Sequence, residues 1–453
     1  MKNRILNSIL FITAASLLSF SSAHGQVADQ PNAKPVAGIP VNETEANVGT
    51  FTLPDPLKLN NGRPVKDAKT WMKQRRPELL KYYQSEIYGR IPATAPKVTW
   101  QVVSNDNNSL GGLAIMKRLA GHMGGPDGPA IDVTLYTPSK ASKPVPILVS
   151  ISFNFAAFGA RGRGQGSAGT NAPMTNIVTA TTAATGTNDS ARGGLRGFGG
   201  PQRGTPEELI TNGFAYAKIV YNSIETDVSG QTNVNLVRKL ALAPGQTVPA
   251  ADEWGTIAAW AWGISRFVDY LETDKAVDAK RVAITGVSRL GKTALWAGAS
   301  DPRIALVIAS CGGEGGAALA RRNYGETIAH LVAPTRYPYQ FAGNYAKYAK
   351  DPNTLAVDTH CLIALMAPRP LLLQTGNTDN WSDPKGEFLA AIAARPVYEL
   401  LGRKGPETDE LPPAGKFVGD TLGYYMHAGG HGTVPSDWDI YLQFMKTHLK
   451  PGT

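Results

Sequence analysis

The sequence predicts an α/β protein, a mostly parallel sheet with helices on both faces in three layers, and three observations carry that expectation. Apolar runs such as the one from Val145 to Phe155 are rich in Val and Ile and nearly continuous, as in strands buried on both faces. Helical spacing of apolar residues alternates with these runs, which implies parallel strands joined by right-handed crossovers. The composition of the 453 residues, 42% hydrophobic and 18% charged with 48 glycines and 32 prolines, is globular. It excludes a collagen, a coiled coil and a polytopic membrane protein.

In chain order, Lys2 and Arg4 precede an apolar run from Ile9 to Phe20 and small residues at Ala23 and Gly25, which predicts a secretory signal peptide over 1–25. The run is too short for a membrane anchor, and no later stretch predicts a membrane span. Residues 26–50 read as a flexible N-terminal segment and 51–453 as one catalytic domain. An amphipathic helical stretch runs from Lys66 to Tyr88. Strands are expected from Val98 to Val103, Ile131 to Tyr136, Val145 to Phe155, Phe214 to Tyr221, Arg281 to Thr285, Ile304 to Ser310, Pro370 to Thr375 and Leu422 to Met426. Helices are expected from Glu253 to Leu271, Gly291 to Ala299, and from a Ser436 cap to Leu449.

Residues 156–204 stand apart, with 12 glycines, seven threonines, five arginines and one acid, Asp189. Such a composition buries little apolar surface, so it predicts a mobile insertion between two strands. The formal charge of +9 falls to +7 once Lys2 and Arg4 are removed with the leader. For an exported chain this favours an acidic polysaccharide over nucleic acid as partner. Two cysteines, Cys311 and Cys361, make no disulfide framework, and no spacing suggests zinc; no metal or organic cofactor is expected.

The chemistry concentrates in Arg281-Val-Ala-Ile-Thr-Gly-Val-Ser-Arg-Leu-Gly-Lys292, a strand that runs through Gly286-Val287-Ser288 directly into a helix. A serine on such a turn stands at the sheet edge beside free helix N–H groups, which makes Ser288 the candidate nucleophile. The pattern departs from G-x-S-x-G, because Leu290 occupies the second glycine position and Gly291 follows it. A serine needs an imidazole base held by a carboxylate. His431, in the glycine-rich loop after the last main strand, fits that need better than His427 at the strand end or His360 before an apolar run. The carboxylate should follow the strand ending at Thr375; Asp379 is preferred, with Asp383 the alternative. The order Ser288, Asp379, His431 is that of the α/β-hydrolase fold.

These residues resemble the glucuronoyl esterases, carbohydrate esterases of α/β-hydrolase fold that cleave esters between 4-O-methyl-glucuronate on xylan and lignin alcohols. The resemblance rests on Gly286-Val-Ser-Arg-Leu-Gly-Lys292, Trp296-Ala-Gly-Ala-Ser-Asp-Pro-Arg-Ile-Ala305, Gly315-Gly-Ala317, Trp381-Ser-Asp-Pro-Lys-Gly-Glu387 and the His431 loop, with Leu53-Pro-Asp-Pro56 and Tyr88-Gly-Arg-Ile-Pro92 matching bacterial members. It implies that Arg289 helps stabilise an oxyanion, that Lys292 and Glu326 contact sugar hydroxyls, and that Trp381 borders the sugar. It also implies an enzyme acting on glucuronoxylan or lignin-carbohydrate esters; the leader predicts that it is secreted or periplasmic, and a monomer is expected. Two departures stand out. Fungal members carry their acid where this chain has Cys311, which leaves Asp379, with Glu314 a minor alternative. Their cysteines beside the serine and histidine are here Val287 and Gly432. An acetyl-xylan or related esterase, and a catalytically weak carbohydrate-binding relative, are the alternatives on the same scaffold.

Overall fold

The computed structural model describes residue 29 and residues 33–153 and 203–452. The expected leader and nearly all of the 156–204 insertion lie outside the described residues. Among the described residues ten strands form one sheet in the order β1-β2-β3-β5-β4-β6-β7-β8-β10-β9. They are β1 (Val98–Ser109), β2 (Ala114–Met123), β3 (Ala130–Pro138), β4 (Val145–Ser152), β5 (Ala215–Val220), β6 (Val277–Val287), β7 (Ile304–Ser310), β8 (Leu371–Gly376), β9 (Val418–Gly419) and β10 (Leu422–His427). From β5 through β4, β6, β7 and β8 to β10 every neighbour is parallel; β1, β2 and β3 extend one side antiparallel, and β9 pairs antiparallel at the other.

Alternating side chains of the central strands enter two separate cores, as a sheet covered on both faces requires. Ile147, Val149, Ile284, Val307 and Leu373 pack with the helices Thr256–Leu271, Arg289–Ser300 and Pro384–Leu400. Leu148, Ala283, Leu306, Ile308 and Leu372 face the helix Asp437–Leu449 and the short helix Pro206–Thr211. The result is the three-layer α/β-hydrolase arrangement expected from the sequence.

Several local expectations change. β2 was not foreseen, and β1 runs to Ser109 instead of stopping at Val103, because a polar second half, Asn105 to Ser109, pairs with β2 as an exposed ladder that carries no apolar alternation. β4 ends at Ser152. The helix Thr256–Leu271 starts three residues later than Glu253, which pairs with Arg90 instead. The amphipathic stretch forms a helical run over 68–87, interrupted by two wider turns at Trp71–Arg75 and Tyr83–Ile87. Ser436 precedes the last helix without a side-chain cap, and the Asp437 carboxylate takes the Val434 N–H at 2.7 Å. Both cysteines are buried free thiols.

Candidate active site

Parallel strands present their C-terminal ends along one edge, where loops gather functional side chains. Ser288 follows β6, Cys311 follows β7, Asp379 lies three residues past β8 and His431 four past β10. β6, β7, β8 and β10 are consecutive in the sheet, so the four loops are neighbours. Ser288 adopts φ 62° and ψ −128°, the strained turn between a strand and a helix that starts at the next residue. Its N–H donates to Ser310 O at 2.9 Å.

The displaced glycine has a physical reason. A Cβ on Gly286 would stand 2.3 Å from Leu290 O, and one on Gly291 would stand 2.4 Å from Ser310 O. The helix therefore meets the end of β7 at residue 291 and not at 290. Only a side chain pointing elsewhere is required of Leu290, which is buried in the core.

His431 donates Nδ1–H to Asp379 Oδ2 at 2.7 Å, with the carboxylate side chain 3% exposed. Burial works against the Asp379 charge, but the hydrogen bonds from His431 and Ser382 outweigh it and hold this carboxyl below the usual aspartate range. The loops that carry the pair are tied together. Thr378 N donates to Gly429 O at 2.9 Å and Asn377 N to His427 O at 3.0 Å. A Cβ on Gly376 would stand 2.1 Å from Gly430 O, so glycine is what lets the histidine loop come this close.

The alternatives fall elsewhere. Asp383 pairs with Arg322 Nε at 2.8 Å and accepts from Gly386 N at 3.0 Å, capping the helix Pro384–Leu400. Its carboxyl is pushed up to about 6 by burial, against the pull of Arg322. Glu314 accepts from Tyr345 Oη at 2.8 Å, and burial lifts it to about 8. His427 is buried beside Asp437 Oδ2 at 3.1 Å and donates Nε2–H to Gly430 O at 3.0 Å. Burial disfavours its charge, yet Asp437 outweighs this and raises its pKa. It therefore braces the loop that bears His431. His360 bonds Pro54 O at 2.8 Å, far along the chain from these loops.

Cys311, at the position that resembles the fungal acid, holds the same histidine loop. Its thiol donates to Gly432 O at 3.3 Å and accepts from Gly432 N at 3.2 Å. Burial pushes this thiol up, which keeps it protonated. One donor atom each of Cys311, Asp379 and His431 lies within 4.8 Å of the others. The thiol is thus packed beside the pair without taking the carboxylate's part.

On the other side of Ser288, the Arg289 guanidinium does not stand free. Its Nη1 pairs with Asp227 Oδ2 at 2.6 Å, and its plane lies 4.7 Å from the Tyr337 ring. Asp227, 1% exposed at its side chain, also accepts from Tyr339 Oη at 2.6 Å and Tyr221 Oη at 3.1 Å. Burial alone lowers the Arg289 pKa, but the Asp227 charge more than reverses that. The Arg289 backbone N–H, in the first turn of its helix, has no partner within the helix.

Lys292 and Glu326 come together as a buried ion pair at 3.0 Å, and Arg336 Nη2 holds the second Glu326 oxygen at 2.9 Å. Arg336 lies 4.9 Å over both the Trp381 and the Tyr337 rings. Glu326 N donates to Trp381 O at 2.9 Å. The residues expected to meet the sugar therefore form one linked group, through an arginine and a tyrosine that the sequence did not single out. Asp227, Arg336 and Tyr337 sit in loops and Tyr339 in the short helical turn Pro338–Gln340, none with a motif of its own.

Among the described residues no helix is long and apolar enough to cross a membrane. A family model described as fungal glucuronyl esterase matches residues 248–402. The chain is 37% identical over 417 residues to a carbohydrate esterase from an unknown prokaryotic organism, with 91% of this chain and 93% of that one covered. It is 42% identical to the solved structure of a glucuronoyl esterase from Solibacter usitatus, with a TM-score of 0.75 and coverage of 89% of this chain and 100% of that one. A 4-O-methyl-glucuronoyl methylesterase from Phanerochaete carnosa is 25% identical over 373 residues, 81% of this chain and 74% of that one.

Proposed function

The chain belongs to the glucuronoyl esterase family, carboxylic ester hydrolases of α/β-hydrolase fold, and from that premise we propose a serine mechanism on esters of (4-O-methyl-)glucuronate in glucuronoxylan with lignin alcohols. The observation that carries the mechanism is the 2.7 Å His431–Asp379 pair on the sheet edge that also bears the strained Ser288. With Nδ1–H committed to Asp379, the other ring nitrogen of His431 is the lone-pair acceptor that a nucleophilic hydroxyl needs.

In this reading Ser288 Oγ attacks the C6 carbonyl of the uronate ester and its proton passes to His431. The C=O bond opens to an oxyanion, which the Arg289 N–H and the adjacent guanidinium stabilise; one such donor contributes about 10²–10³ in rate. Collapse breaks the bond to the alcohol, which leaves with the proton from His431. Water then adds to the acyl-enzyme by the same steps, releases the uronic acid and restores Ser288. Lys292, Glu326 and Trp381 bind the sugar: the ion pair offers charged partners to hydroxyls, and the indole offers an apolar face with one N–H. Residues 51–453 act as the catalytic domain, and the 1–25 leader exports it as a monomer.

The buried charges of Lys292, Glu326 and Arg336 favour a polar uronate over a two-carbon acetyl group, which has nothing to pair with them. Hydrolysis of benzyl glucuronate compared with deacetylation of an acetylated xylo-oligosaccharide tests this. The proposal expects preferential uronate-ester cleavage that disappears in Ser288→Ala. Preferential acetyl release would move the chain to an acetyl-xylan esterase, and binding without turnover of either ester would mark a scaffold that has lost its chemistry.

A further inference from the structure

The stretch ahead of the catalytic domain, expected to be a flexible lead-in, is bonded in the structure to the two loops that carry Glu326 and Trp381. His330 Nε2 meets Ile39 O at 3.4 Å. Gly325 N donates to Asn42 O at 2.8 Å, and Asn42 Nδ2 donates to Asn323 O at 2.6 Å. Asn380 Nδ2 donates to Glu43 Oε2 at 3.3 Å. The Glu45 carboxylate takes both terminal nitrogens of Arg322, one of them at 3.0 Å, and Lys385 Nζ at 2.6 Å. Each contact falls in 322–330 or 380–385, within four residues of Glu326 or Trp381.

Those two loops are already one unit. A Cβ on Gly325, at φ 60°, would stand 2.3 Å from Asn380 O, and Glu326 N is bonded to Trp381 O. Arg322, 2% exposed at its side chain, joins them through Asp383 on one side and Glu45 on the other. A buried guanidinium bonded at Nε and at both terminal nitrogens has one orientation, whereas one that loses its outer partner keeps only Asp383 as a hydrogen-bonding partner, beside the Tyr324 ring 5.1 Å away. Glu45 itself is 41% exposed at the side chain, so it is the outer, replaceable end of a connection whose inner end reaches the sugar-side residues.

We propose that residues 39–45 form a strap that fixes the 322–326 and 380–385 loops and so sets affinity for the sugar half of the substrate, with Glu45 as a positioning residue. The inference rests on the reading of Glu326 and Trp381 as sugar-binding groups. It assigns a role in recognition to a segment 277 residues from the loop it holds.

The test measures kcat and KM for benzyl glucuronate and for an aryl acetate that has no sugar, in the full-length wild type, Glu45→Gln, Glu45→Asp and Asn42→Ala. Removing one partly exposed charge from the Arg322 cluster is expected to raise KM for the glucuronate about fivefold. Its kcat should stay within about twofold and aryl acetate hydrolysis should change far less than glucuronate hydrolysis, because none of the strap's bonds ends on Ser288, Asp379, His431 or the Ser382 that bonds Asp379. Glu45→Asp should recover part of the loss, and Asn42→Ala should shift KM in the same direction by a separate route. Unchanged glucuronate KM in both Glu45→Gln and Asn42→Ala would overturn the strap, as would an equal fall on both substrates, which is the mark of a merely structural role. A wild type that fails to prefer the glucuronate over the aryl acetate would instead remove the sugar-side reading, and the strap's role with it.

Discussion

Replacing Asp379 by asparagine separates the proposed triad acid from its neighbours. The carboxylate is 3% exposed and 2.7 Å from His431 Nδ1, so it sets both the orientation and the tautomer of the ring. An amide of the same shape offers an N–H to that nitrogen, which places the ring proton on the side facing Ser288 and removes the base. A change of this type costs about 10⁴ in kcat, or about 5 kcal/mol of barrier at 1.36 kcal/mol per decade. Asp383→Asn is the control. It disturbs the Arg322 pair and the helix cap, so it should lower the melting temperature while kcat falls by less than about tenfold. The assay is steady-state hydrolysis of benzyl glucuronate alongside thermal unfolding of both variants. Retention of kcat within tenfold in Asp379→Asn, or a larger kcat loss in Asp383→Asn, would refute the assignment.

Other expectations follow from the same geometry. Asp227→Asn removes the counter-charge of Arg289 while leaving the tyrosine hydroxyls in place; kcat should fall by about tenfold to a hundredfold with little change in fold, read by kinetics and circular dichroism. Cys311→Ala loses the two contacts to Gly432 but no carboxylate, so kcat should remain within about tenfold of wild type, whereas a thiol that acted as the triad acid would cost far more. Glu314 gives a pH signature. Its carboxyl is lifted from 4.5 to about 8 by burial, so between those values the unfolded chain has released a proton that the native protein retains. Stability must then fall as pH rises across that window, and Glu314→Gln should flatten the fall in urea titrations at pH 5 and pH 8.

The fold and the loops that carry Ser288, Asp379 and His431 were legible because each leaves a local mark. Continuous Val and Ile runs mark doubly covered strands, a serine between a strand and a helix marks the tight turn, and Gly429, Gly430 and Gly432 mark a loop that must approach another backbone. The choice between Asp379 and Asp383 rested on distance from Gly376 and on Asp383 preceding Pro384, as turn residues do; in the structure one carboxylate meets the imidazole and the other caps a helix. What the sequence concealed depends on contacts between distant loops. Asp227 and Arg336 are single charges in unpatterned segments, and they gain meaning only when Tyr337 is found stacked against Arg289 and Arg336. The strap was invisible for the same reason, since Asn42 and Glu45 lie in a stretch with no apolar period. β2 was missed because two successive charges, Lys117 and Arg118, on opposite faces of the strand, break the alternation of a half-buried strand.

The most direct test of the mechanism is to look for the acyl-enzyme. A phenyl glucuronate ester has a good leaving group, so acylation outruns the second step and the intermediate accumulates. Wild-type enzyme quenched with acid in the first turnover and digested should show a glucuronoyl group on the peptide bearing Ser288, together with a burst of phenol equal to the enzyme present. Absence of the burst with Ser288 unmodified, or a glucuronoyl group on another residue, would contradict the account.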